Sequence, residues 1–128
     1  MNTAGEIYQA LNQWAPFDTA EDFANSGFLM GGMEQPVSLC LLALDLTQAV
    51  CEEAAERGAQ LVLTHHPVIF DPLRRVELGT VAYSAVQAGI AVISAHTCLD
   101  RAKGGVSDVL AAQPGLTEVE DLPGGEGF

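Results

Sequence analysis

Apolar residues fall in three short runs, each closed by polar residues. The first extends from Val37 to Leu44 and is closed by Asp45 and Thr47. The second is Leu61 to Thr64, and the third is Ile90 to Ala95. Continuous apolar runs of this length mark strands covered on both faces, as in parallel sheets. Helical signals lie between them. Thr3-Ala4-Gly5-Glu6 reads as a capping box, with Ile7, Leu11 and Trp14 following at helical spacing and Pro16 ending the segment. Thr47 is placed to cap a helix from about Gln48 to Arg57, which Gly58 would end. Residues 79–88 predict another helix, with Val81, Ala85 and Ala88 on one face and Gly89 after it. Gly104-Gly105 opens a shorter one from Val106 to Ala112, stopped by Pro114-Gly115. Residues 16–36 read as mostly irregular, because Asn25-Ser26-Gly27 and Gly31-Gly32 are turn chemistry. Thr117 to Leu122 reads as a last, acidic edge strand.

The alternation of strand and helix predicts one α/β domain over residues 1–128, a mostly parallel sheet with helices on both faces. Ligands of such sheets bind beyond the carboxyl ends of the strands. Asp45, His65-His66 and the segment His96-Thr97-Cys98-Leu99-Asp100 all fall at those ends. The chain has only three histidines, and all of them lie there. Imidazole and carboxylate donors at neighbouring strand ends suit a divalent metal; zinc, iron, manganese and nickel all accept such a set. Successive side chains of an extended segment diverge by half a turn. His65 and His66 are therefore expected to reach two different ions rather than one. The competing reading is a pair of loop histidines whose turn is shaped by Pro67.

Charge narrows the function classes. Seventeen acidic against five basic residues give a net charge of −12, which repels nucleic-acid backbones. Four of the five basic residues, Arg74, Arg75, Arg101 and Lys103, follow the two histidine motifs. They are either solvated loop charges or groups that draw a small anionic, nucleotide-like substrate to a metal. No apolar run is long enough to span a membrane, and the first residues lack the basic and apolar regions of a signal peptide, so a cytoplasmic protein is expected. Cys40, Cys51 and Cys98 are odd in number and irregularly spaced, as reduced thiols are. Cys40 and Cys51 read as core residues, and Cys98 lies within the second motif.

Thr64-His65-His66-Pro67, Ala95-His96-Thr97-Cys98-Leu99-Asp100 and Gly104-Gly105-Val106-Ser107-Asp108 together resemble the NIF-three-like family. The family is also described as the dinuclear-metal-centre hexameric, or GTP cyclohydrolase type-one-like, group. Asn25-Ser26-Gly27-Phe28, Leu44-Asp45 and Glu53-Ala54 fit the same order, so the resemblance covers nearly the whole chain. It implies a three-layer α/β fold, a toroidal homo-hexamer and two divalent ions facing an inner cavity. By resemblance, His65, His66 and Asp100 are metal ligands. His96 is a nearby proton-transfer group, and Asp45 has a capping or supporting role. The resemblance suggests a metal-dependent hydrolase of nucleotide-like substrates; the alternative is a metal-binding interaction or regulatory protein without turnover. Cys98 and Ser107 stand where the family usually has asparagine. Family members continue into a second half that supplies a further histidine and a glutamate, so this chain resembles the N-terminal half. Three ligands for two ions lead to the expectation that this chain alone holds one ion weakly, or none.

Overall fold

The computed structural model describes residues 1–121 and 123–125. Its elements, in chain order, begin with strand β1 (Asn2–Thr3) and helix α1 (Ala4–Trp14), then a single 3-10 turn at Phe17–Thr19. Strands β2 (Gly27–Met30), β3 (Pro36–Val37) and β4 (Cys40–Ala43) follow. Helix α2 (Gln48–Arg57), strand β5 (Leu61–Thr64), helix α3 (Val81–Gln87) and strand β6 (Ala91–Ser94) come next. Helices α4 (Thr97–Arg101) and α5 (Val106–Ala112) are the last described elements.

The main sheet has the order β2-β6-β5-β4. Strands β4, β5 and β6 are parallel, and β2 runs antiparallel to β6 with a bulge between Phe28 and Met30. A small antiparallel ribbon of β1 and β3 leads into α1. Side chains alternate across the sheet, so each buried strand feeds two cores. Val62 and Val92 pack with Cys51, Ala54 and Ala85 on the side of α2 and α3. Leu61, Ala91 and Ile93 pack with Ala4, Ile7 and Leu11 on the side of α1. The sheet is thus the middle of three layers, as expected. Leu61, Val62, Val92 and Ile93 are fully buried, and burial of each such side chain contributes about 2 kcal/mol. At the open edge, by contrast, Leu42 and Leu44 of the β4 segment remain exposed.

The caps hold the helices where the sequence placed them. Thr3 and Glu6 complete a reciprocal capping box at the start of α1. Thr47 Oγ1 accepts the Val50 N–H, and Gly58 ends α2 in a left-handed conformation. Among the described residues no helix is long and apolar enough to cross a membrane.

Two expectations need correction, and one strand was not foreseen. The segment 16–36 is mostly irregular as expected, but strand β2 lies within it and pairs with β6. The sheet is thus mostly parallel, as expected, with β2 as its one antiparallel strand among the described residues. Residues 117–121 form no strand; Leu122, the end of that expected element, lies outside the described residues. The apolar run from Val37 to Leu44 is also divided, between the ribbon strand β3 and the sheet strand β4.

Candidate metal centre

Register brings the three ligand-bearing strand ends side by side. Ala43 of β4 pairs with Thr64 of β5, and Thr64 pairs with Ser94 of β6. Backbone hydrogen bonds, though no longer a regular ladder, continue past the strands, with His65 N–H donating to Ala43 O, His66 N–H to Leu44 O and Ala95 N–H to Thr64 O. Two residues beyond that shared row stand Asp45, His66 and His96. His65 lies between, on the opposite parity, and α4 begins straight after His96 and carries Asp100.

Strict alternation would send the His65 and His66 rings to opposite faces. Instead the backbone leaves the extended ladder after Thr64, and the two ring centroids lie 5.2 Å apart. The His96 ring is 5.4 Å from His65 and 5.7 Å from His66. One donor atom from each of the three histidines lies within 4.8 Å of the others, close enough for one ion to be held among them. The trio selected by these distances therefore includes His96. Asp100 joins through His65, with Oδ1 3.4 Å from His65 Nε2.

The hydrogen bonds fix which nitrogen each ring offers. His65 Nδ1 is 2.8 Å from Ala95 O, and a carbonyl can only accept, so Nδ1 carries the proton. His66 Nδ1 is 2.8 Å from Asp45 Oδ1 and is assigned in the same way. In the neutral rings, Nε2 is then the atom that carries the lone pair. An outer oxygen holding Nδ1–H is the usual way a metal-ligating imidazole is oriented. The His65 Nε2 lone pair also faces the Asp100 carboxylate, and two acceptors at 3.4 Å are favourable only with positive charge between them. The donor set therefore fits a divalent cation. His96 differs. Its Nδ1 is buried and finds no hydrogen-bond partner among the described residues. Burial, then the nearby His65 and His66, push its pKa below the ordinary histidine value, against the opposing pull of Asp100.

A segment outside the predicted motifs holds the two ligand loops. Ser26 Oγ accepts the His96 N–H, and Thr97 Oγ1 accepts the Glu21 N–H at 2.8 Å. Arg101 reaches back to the Thr19 carbonyl and the Glu21 carboxylate. Asn25 Nδ2 donates to Ile69 O at 2.6 Å, on the loop after His66. Residues 19–26 thus bridge both ligand-bearing loops, and Ser94 Oγ fixes the His65 carbonyl from below. The Asn25-Ser26-Gly27 turn was the only sequence signal of this bridge. The basic residues are less available than expected. Arg101 serves the bridge, and Arg75 pairs with Glu77. Cys98 is fully buried and its thiol is pushed up chiefly by that burial, so it belongs to the packing beneath the site.

Known proteins resemble this chain in sequence and in fold. The family model described as Duf34/NIF3 (NGG1p interacting factor 3) matches residues 2–125. The chain belongs to the DUF34/NIF3 family. A protein of Halalkalibacterium halodurans named GTP cyclohydrolase 1 type 2 homolog is 38% identical over 120 residues, 91% of this chain and 32% of the relative. A protein of the same name from Clostridium perfringens is 38% identical over 109 residues, 82% of this chain and 42% of the relative. Among solved structures, a Bacillus cereus protein related to NIF3 superposes with a TM-score of 0.89 at 34% identity. That match covers 94% of this chain and 35% of the other. The NIF3 fold is therefore shown for this chain, which spans between about a third and two fifths of the length of these relatives.

Proposed function

We propose that this DUF34/NIF3 chain contributes His65, His66 and Asp100 to a divalent, and in the assembled family protein dinuclear, metal centre that hydrolyses a small nucleotide-like anion. The observation that carries the reading is the pair of Nε2 lone pairs held outward by Ala95 O and Asp45, one of them facing Asp100. When bound, a divalent ion there would supply Lewis acidity and lower the pKa of a water. His65 and His66 would present their Nε2 atoms to the ion, and Asp45 sets the angle of the His66 ring from behind. His96 is the proton-handling group. Burial and the neighbouring rings lower its pKa and so favour its neutral form, and its position beside both other rings puts an acceptor within the cluster. The names of the two curated relatives agree with a nucleotide substrate.

The test is turnover. Purified protein, loaded separately with zinc, manganese, iron(II) and nickel, is incubated with a panel of nucleoside triphosphates and the products are separated by chromatography. Metal-dependent loss of a nucleotide is expected, and it should fall at least about 100-fold in Asp100→Asn, which keeps the shape but not the charge. Metal uptake with every nucleotide left intact would replace the catalytic reading by that of a metal-binding interaction protein.

A further inference from the structure

Two phenyl rings stand at the mouth of the histidine cluster, and the hydrolytic reading uses neither. Phe23 is 63% exposed and Phe70 is 51% exposed. Each meets the His96 ring edge-to-face, with centroids at 6.3 Å for Phe23 and 6.4 Å for Phe70. These are ordinary separations for interacting aromatic rings. Between the phenyls lies a cleft of about 230 Å³, lined also by Asp22, Ala24, Asn25 and Pro72.

The cleft is held open. The loop of Phe23 is pinned by the Ala24 N–H on Glu21 O and by the Glu21 N–H on Thr97. The two loops are joined to each other by Asn25 Nδ2 on Ile69 O, one residue away from Phe70. The rings are thus kept in water, near each other, beside a reactive cluster, where apolar collapse would otherwise remove them. Two exposed phenyl faces beside a polar cluster are suited to stacking a flat ligand. Space and charge select the occupant. The cleft has room for one ring system and not for a helix or strand. The charged group in its lining is Asp22, which repels phosphate and accepts hydrogen bonds from N–H groups.

We propose that the Phe23–Phe70 cleft binds a planar heterocycle bearing ring N–H or amino groups, stacking it against the phenyls beside His96. Ring binding stands on this geometry alone. Only the chemistry that follows, on a substrate whose ring is seated here, rests on the metal-dependent reading above. The slot takes the base end of a nucleotide-like molecule and leaves its anionic end to lie elsewhere.

Titration of the full chain with 2-aminopurine riboside, a neutral fluorescent purine, tests the slot. Stacking quenches the probe, and binding to the unaltered protein is expected. Phe23→Leu and Phe70→Leu keep apolar bulk and remove the π face; each should weaken binding about fivefold or more, since base–aromatic stacking is a large part of such affinities. Asp22→Asn should weaken it too, and ribose 5-phosphate, which lacks the ring, should not compete. Metal uptake should be unchanged in both phenylalanine variants, which also shows that they fold. The proposal is overturned if the unaltered chain does not bind the riboside. It is equally overturned if the double variant Phe23→Leu/Phe70→Leu binds as well as the original, or if ribose 5-phosphate competes. Failure of the metal reading looks different, because metal uptake is then lost while phenyl-dependent riboside binding persists.

Discussion

Replacing His65 with alanine is expected to lower divalent-metal affinity by more than about 100-fold, beyond the 10–100-fold typical of losing a supporting residue around a metal. His65 occupies the centre of the cluster. Its Nδ1 is anchored on Ala95 O, its Nε2 faces Asp100, and its ring lies beside both other imidazoles. Among the described residues, His65 is the one whose side chain is seen to link the β5 end to the α4 carboxylate. Asp45→Ala removes only the oxygen behind His66 and should fall within the smaller range, because the His66 ring keeps its nitrogen and loses only its orientation. The graded order, His65→Ala worse than Asp45→Ala, separates a ligand from a positioning residue. Isothermal titration with zinc and manganese reads it, accompanied by a thermal melt to show that each variant folds. Equal affinities for His65→Ala and the unaltered chain would remove His65 from the site.

Gly105→Ala is expected to be the most destabilising single-methyl change near the site. A Cβ at Gly105 would stand 2.0 Å from Leu99 O and 2.6 Å from Ala102 O, both backbone atoms. Its φ of −82° is open to any residue, so the demand for glycine here is one of space alone. Neither carbonyl can yield without moving the end of α4, because Gly105 N–H is itself bonded to Ala102 O. Overpacking of this kind costs about 3 kcal/mol. The displaced turn adjoins Asp100, so metal affinity should fall with stability. Gly104→Ala is the control. Gly104 has φ +74° with nothing within 4 Å of a Cβ, so its cost is the left-handed backbone penalty of about 1 kcal/mol. Denaturant unfolding of the two variants should rank Gly105→Ala well below Gly104→Ala; the reverse order would contradict the packing of this turn.

Local chemistry was legible in the sequence, and long-range pairing was not. The capping box at Thr3, the Thr47 cap and the Gly58 stop are interactions within one turn, so their residues announce them. The three parallel strands were legible because burial on both faces makes them uniformly apolar. Strand β2 was hidden because it is short, begins at a glycine with φ +125° and owes its existence to β6, more than sixty residues later. Helix α4 was hidden for a similar reason. Its five residues are too few for a periodic pattern, and it is held by Thr97 and Arg101 reaching to the 19–21 segment. The candidate ligands were visible as rare residues at strand ends. Their convergence was not, because alternation argued that His65 and His66 diverge; only the backbone's departure from the ladder after Thr64 brings them together. The role of the basic residues was not legible either, since a charged residue's type does not reveal that Arg101 already holds Glu21.

Anomalous diffraction from crystals soaked in zinc or manganese tests the central claim most directly. The account predicts a peak within ligand distance of His65 Nε2 and His66 Nε2 and adjacent to the Asp100 carboxylate. Peaks confined to the acidic surface, with both imidazoles unliganded at saturating metal, would contradict it.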